Sequence, residues 1–419
     1  MKSEFLNIFK EKFIVKISII LISLFPIMLL LGSAILNTSI IIMNIFFLIH
    51  VFDQKKLRIF NNDIFYFLFF LWVFLIINTL LNDNFELNYS RAFGFIRFIL
   101  LIFLLSYFLS YKNFQFKEII FSVWLIIFII VSLDLTFEFF VGYNTLGFHA
   151  NFAGRLAGFM GGDELKIGHW YLCFSLILLS NSFNKNKKIY FFIFISLIVS
   201  FFIGERANFI RLFIAIFGFI IITRRLSLKN SFFFIFPIIV LFLLVDNIKG
   251  NKMEEIRSRF LNEFITLTKH KSFDDLNNNN KYTSLYVNAY SVFKENKLLG
   301  VGLGSYYEAS HEIFRKYRIR THTKMTPSTH PHQHHFEILA TLGLPGYIFL
   351  FSFLLYFLKK SFCFYLANKK IINLSSFLVV FIFCIPLLPT GSFFTTYGAA
   401  IFWLNFSLMN LGNFKNINY

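Results

Sequence analysis

Cysteine is scarce. The 419-residue chain has three, Cys173, Cys363 and Cys384. They lie in or beside apolar segments or on a short basic loop, which excludes a disulfide-stapled framework. No His-Glu-x-x-His pair of the zinc-hydrolase kind is present, and there is no internal repeat. The glycine stretch "GVGLGS" (300–305) lacks the Lys-Ser or Lys-Thr ending of a nucleotide loop and reads as a turn. Lys2, Lys10, Lys12 and Lys16 precede an apolar run, but no small-residue cleavage site is clear. That run reads as a first membrane helix rather than a cleaved signal peptide. Acidic residues are few, 22 against 40 Lys and Arg, for a net charge of +18. In a soluble protein this excess would suggest nucleic acid. Here many of the basic residues lie in short loops between apolar runs, where they set topology instead.

What is abundant is apolar sequence: 57% of residues are hydrophobic and the mean hydropathy is +0.66. Runs of about 18 or more apolar residues read as transmembrane helices. The expected fold is therefore an all-α polytopic membrane protein with about twelve transmembrane helices. The spans are drawn at 13–31, 34–52, 62–81, 92–111, 117–140, 167–182, 188–204, 207–222, 231–246, 335–358, 371–388 and 396–413. A large, mainly helical loop separates helices 9 and 10. The division is a membrane domain over 1–246, a loop over 247–334, and a second membrane domain over 335–419. Within the loop, 251–267, 282–300 and 306–320 have helical character.

Charge asymmetry orients the chain. With the N-terminus in the cytoplasm, the inner loops carry Lys55, Lys56, Arg58, Lys112, Lys117, Lys185, Lys187, Lys188, Arg224, Arg225, Lys229, Lys359, Lys360, Lys369 and Lys370. The short outer loops carry Arg91, Arg155, Lys166 and Arg206. The positive-inside rule then puts both termini in the cytoplasm and the 247–334 loop outside.

Three constellations stand out on that outer side. "STHPHQHH" (328–335) gathers His330, His332, His334 and His335 at the start of a span. Ser328 or Thr329 is expected to cap a helix there, with Pro331 in its first turn. Amphipathic edge residues are one reading of the histidines, and a zinc site is another. Zinc wants well-spaced ligands, and the only nearby carboxylate is Glu337, so no metal site is assigned. "GERANFIR" (204–211) places Glu205 and Arg206 at a hairpin and Arg211 deeper. The choice is between an internal ion pair and an anion site, since the guanidinium fork matches phosphate oxygens. Arg91 and Arg97 near the outer end of one span, and Asp134 and Glu138 at i,i+4 on the next, form the third, with Arg155, Asp163, Glu164 and His169 in the loop that follows. These read either as paired intramembrane charges or as the lining of an outward-facing polar cavity.

In this setting the sequence resembles the bacterial O-antigen ligase and O-antigen polymerase superfamily of membrane glycosyltransferases. The resemblance runs over about 130–350 and rests on motifs in order. "HQHHFEILATLG" (332–343) is similar to the family's histidine-to-glycine element, with His332 and Gly343 matching and Gln333, Glu337 and Thr341 departing. "LDLTFEFFVGYNTLG" (133–147), "GRLAGFMGGDELKIG" (154–168), "GERANFI" (204–210) and "AYSVFKENKLLGVG" (289–302) resemble other family segments. Tyr282 stands near the place where many members have an arginine, so that duty would pass to Arg315, Arg318 or Arg320 or be absent.

The resemblance implies metal-independent glycosyl transfer with no cofactor, on the periplasmic face of the bacterial inner membrane. The donor would be a glycan on undecaprenyl diphosphate. The acceptor would be the lipid A–core oligosaccharide for a ligase, or a lipid-linked repeat unit for a polymerase. His332 is then the candidate base, with His330 beside it. Arg206 is the candidate for developing diphosphate charge, with Arg97 and Arg155 in support. Asp134, Glu138 and Glu205 are candidate substrate contacts. A transporter of lipid-linked glycans is the competing reading from another class, and a zinc-dependent membrane hydrolase a third.

Overall fold

A computed structural model describes residues 13–82, 85–110, 114–152, 154–162, 166–182, 186–223, 280–317, 324–386 and 388–412. Among them there are helices, turns and loops, and no strand. The helices are α1 (Phe13–Ser23), α2 (Phe25–Leu30), α3 (Ser33–Asp53), α4 (Asp63–Leu81), α5 (Phe85–Gly94), α6 (Ile96–Ser110), α7 (Phe114–Val141) and α8 (Ile167–Ser182). Then follow α9 (Asn186–Phe202), α10 (Arg206–Ile222), α11 (Lys281–Glu295), α12 (Tyr306–Tyr317), α13 (His334–Asn368), α14 (Ile371–Phe383) and α15 (Thr396–Met409). The helices α3, α4, α7 and α13, and α5 with α6 taken together, are long and apolar enough to cross a membrane, and several shorter apolar helices accompany them. The protein is a multi-pass helical membrane protein. The span expected at 231–246 and the helix expected at 251–267 lie outside the described residues.

Helices α6, α8, α14 and α15 form the centre of the bundle. Their side chains are almost wholly buried, Trp170 and Trp403 among the largest. α3 and α4 lie further out and leave Ile41, Ile45, Ile49, Phe70 and Ile77 exposed, as a surface facing lipid tails would. Polar side chains tie the central helices together. Ser106 Oγ and Ser407 Oγ lie 2.9 Å apart, and Ser407 donates to the Ile102 carbonyl at 3.1 Å. In a medium without water such bonds hold helices in register where apolar contact alone discriminates little.

Three departures from the expected spans have local causes. The run 13–31 is two helices, broken at Leu24, because Pro26 carries no N–H and cannot bond back. The break is stitched by tryptophans: Trp124 Nε1 donates to the Ile22 carbonyl at 3.0 Å and Trp170 Nε1 to the Pro26 carbonyl at 2.9 Å. The span expected to run to 388 ends at Phe383. Beyond it Pro386 and Pro389 exclude helix, and 388–395 cross back as an irregular strap. Finally, α13 begins at His334, not at Pro331, and Gln333 is its cap, its side chain accepting from Phe336 N at 3.0 Å.

α13 also runs ten residues past the expected end at 358, with a break at Gly343. That glycine has φ +69°, and a Cβ there would collide with the Leu298 carbonyl oxygen. Only glycine fits both demands. The gap admits the 297–302 turn: Leu344 N donates to the Lys297 carbonyl at 2.8 Å, Val301 N to Ala340 O and Gly302 N to Thr341 O, both at 2.9 Å. "GVGLGS" is thus a turn, wedged between α13 and α5, where Gly304 N donates to Asn88 Oδ1 at 2.5 Å. Through it the loop helices α11 and α12 are docked on the bundle.

Candidate active site

One cavity of about 1800 Å3 opens where α8, α10, α11, α13 and the 388–395 strap meet. It lies at the end of the bundle where the short connections carry few basic residues. Its lining includes five cationic side chains, Arg91, Arg155, Lys166, Arg206 and Arg211, and two carboxylates, Glu205 and Glu337. His169, His330, His332 and His334 also line it, as do Tyr282, Tyr286, Tyr290, Tyr306 and Tyr397.

The arginine wall begins at the α9–α10 turn. Gly204 has φ +74°, and a Cβ there would meet the Gly154 carbonyl oxygen. The close approach lets Leu156 N donate to the Ile203 carbonyl at 3.2 Å, which brings Arg155 from one loop beside Arg206 at the head of α10. Glu205 is buried. It accepts from Gly168 N at 3.3 Å and from the Asn208 amide. Burial pushes its carboxyl up, opposed by Arg155 and by these hydrogen bonds. Asn208 Oδ1 in turn accepts from Arg211 at 3.1 Å. Arg211, wholly buried, also donates to the carbonyls of Leu388 and Pro389.

Histidines line the same cavity. His332 is one of three non-glycine residues among those described with positive φ, at +57°. A left-handed backbone at a histidine costs energy and persists only where its surroundings enforce it. Here the enforcement is visible: the His332 carbonyl accepts from Thr390 N at 2.6 Å. Its ring centroid lies 4.0 Å from that of His330 and 6.4 Å from that of Tyr282. Burial pushes the His330 imidazole down to about 3, with His332 and Lys166 adding to the effect, so His330 is neutral at neutral pH. His334 Nδ1 pairs with the Phe383 carbonyl at 3.2 Å. His335 is outside the cavity lining, held between Tyr347 and the Cys384 carbonyl at 2.9 and 2.8 Å.

The strap joins the arginines to the histidines. Besides holding Arg211 and His332, it is anchored from below by Glu337, whose oxygens accept from the Ser392 hydroxyl and, at 2.7 Å, from Phe393 N. Its role escaped the sequence reading, though Pro386, Pro389 and Gly391 marked a break in the eleventh span.

Of the residues singled out from sequence, the structure brings together His332, His330, His334, His169, Arg206, Arg155, Arg211, Arg91 and Glu205. The remaining candidates among the described residues do not line this cavity. Arg97 donates to the Gly94 carbonyl at 2.5 Å and to Thr396 Oγ1 at 3.4 Å, where α5 passes into α6. Asp134 accepts from Thr145 N and Oγ1 at 2.9 and 2.6 Å. Glu138 accepts from Ala157 N and Gly158 N at 2.7 and 2.8 Å. Arg315 lines a separate polar cleft with Tyr307, His311 and Glu312. Arg318, Arg320, Asp163 and Glu164 lie outside the described residues. Among those described, no three His, Cys, Asp or Glu side chains gather as a metal site.

A cavity lined by more cations than carboxylates, at one end of a many-helix membrane bundle, has the charge to receive an anionic group. More particularly, residues 190–351 match the family model described as O-antigen ligase. The match takes in most of α9, all of α10, α11 and α12 and the first part of α13, and with them Arg206 and His332. No curated protein matches the chain.

Proposed function

We propose that the protein is a membrane glycosyltransferase of the O-antigen ligase type. It moves a glycan from undecaprenyl diphosphate to a lipid A–core or related acceptor at the periplasmic face of the inner membrane, with both termini cytoplasmic. The observation that carries this reading is the shared cavity: His332, His330, Arg206, Arg155 and Arg211 all line it. The basic loops support the orientation.

The chemistry follows from the charges. The acceptor hydroxyl attacks the anomeric carbon, and the bond from that carbon to the diphosphate oxygen breaks. The departing diphosphate keeps the electron pair. Arg206 and Arg155 meet the charge that grows on it, the kind of fixed electrostatic stabilisation that supplies much of an enzyme's acceleration. The hydroxyl proton passes to His332 as general base. Attack opposite the leaving group inverts the anomeric centre. His330 keeps a neutral partner beside His332, and no metal is needed because the donor is already activated.

The test uses purified protein, undecaprenyl-diphosphate-linked glycan and lipid A–core acceptor in the presence of EDTA. Transfer to the core, abolished by His332→Ala and by Arg206→Ala, is the expected result. Lengthened lipid-linked glycan without core transfer would assign a polymerase. No transfer in either format, from folded protein with verified substrates, would overturn the enzyme reading in favour of a transporter.

A further inference from the structure

Three tyrosines on α11, Tyr282, Tyr286 and Tyr290, recur at i, i+4 and i+8, and all three line the cavity. Residues four apart on a helix share a face and rise about 6 Å. The Tyr282 and Tyr286 ring centroids are 6.5 Å apart. The opposite face of α11 is the packed one: Ser284, Asn288, Ala289 and Val292 are buried. The tyrosine face is the less buried one, so its side chains are open to the cavity.

The row has a direction. Its inner end, Tyr282, sits beside His332. In the middle Tyr286 stacks on Phe336, centroids 5.0 Å apart, which fixes the ring. The outer end, Tyr290, is 53% exposed. An aromatic face carries a negative quadrupole and attracts the polarised C–H bonds on one face of a pyranose ring. One helical turn is comparable with one sugar unit. The cationic side chains of the lining suit the diphosphate, and the tyrosine row suits the sugars behind it.

We propose that α11 is a glycan track: the sugar at the anomeric bond lies against Tyr282, and the next two rings of the donor glycan stack on Tyr286 and Tyr290 on their way out of the cavity. This rests on the reading of the cavity as a glycosyl-transfer site. It adds a substrate class: donors of at least three sugars, whose rings present an apolar face, bind better than shorter ones.

The experiment measures binding and transfer separately. Free gluco-oligosaccharides of one to four units are titrated against the full-length protein in detergent by saturation-transfer NMR. Affinity should rise with length up to three units. Tyr290→Leu should weaken trisaccharide binding roughly three- to tenfold, on the scale of other aromatic contacts, while Tyr290→Phe keeps it. Affinity independent of length, or equal losses in the Leu and Phe variants, would overturn the track. In transfer from prenyl-diphosphate-linked donors, Tyr290→Leu should raise KM for a tetrasaccharide donor more than for a monosaccharide donor. A rise confined to the acceptor KM would overturn the donor assignment. Length-dependent binding without any transfer leaves the track standing and removes the transferase; transfer without length dependence does the reverse.

Discussion

Two groups of polar residues sit in apolar surroundings in this protein, and they do opposite things. On α7, Asp134 and Glu138 turn their oxygens to the loop that follows. Glu138 takes the N–H groups of Ala157 and Gly158, and Asp134 Oδ1 takes the N–H and the hydroxyl of Thr145. Their charge is spent on that loop, which is thereby pinned where Arg155 can reach the cavity. Around the cavity the cations outnumber the carboxylates, five to two, and Glu337 is itself engaged by the strap. The lining is left with positive charge beyond what its own acids offset. The lesson is that intramembrane charge by itself does not mark a site. The direction in which its partners lie does.

The largest effect is expected on the cavity side. Arg206→Ala should lower the transfer rate by about 10²–10³-fold, the usual loss for one transition-state charge partner. His332→Ala should cost about 10²–10⁴-fold, as for a general base. The melting temperature of each variant is read alongside, so that the loss is expressed per folded molecule. On the α7 side the signature reverses. Glu138→Ala orphans two buried amides and should cost about 2 kcal/mol of stability, read as lower folded yield and melting temperature, with the transfer rate per folded molecule far less affected than in Arg206→Ala. A Glu138 variant that folds normally but is inactive would erase the distinction between the two groups.

Smaller effects sharpen it. Ser392→Ala removes one hydroxyl from Glu337 and loosens the strap that holds His332. It should lower kcat about tenfold or less with little change in donor KM, a magnitude set by roughly one hydrogen bond. Smallest is a pH effect. The folded protein holds His330 neutral down to about 3, against an ordinary value of 6.5. The unfolded chain takes up a proton below about 6.5 that the folded chain refuses, so stability falls as pH drops from 6.5 toward 3. His330→Gln should flatten that part of the melting-temperature profile.

Much of the bundle could be read from the sequence because its signals are local. Apolar run length located most helices to within a few residues, and the amphipathic stretch 282–300 became α11. The misplaced ends trace to single residues whose effect depends on neighbours: Pro26, Pro386 and Pro389, and the cap at Gln333. For the site, the histidine and arginine motifs were legible because their residue types are rare in apolar sequence. The strap at 388–395 was not, since nothing local says that Thr390, in a Pro-Gly turn between two late spans, bonds to the backbone of His332, far earlier in the chain. The tyrosine row was hidden for a related reason. Its periodicity is plain, but which face of α11 meets the cavity is settled only by how α12 and α13 pack on the other.

The most direct test of the account is a single-turnover measurement. Donor glycan on undecaprenyl diphosphate is pre-bound to wild-type and to His332→Ala protein, acceptor is added, and free undecaprenyl diphosphate is followed with time. The account predicts release in step with glycan transfer from the wild type, and donor that stays bound and intact on His332→Ala. Release from His332→Ala at the wild-type rate would contradict it.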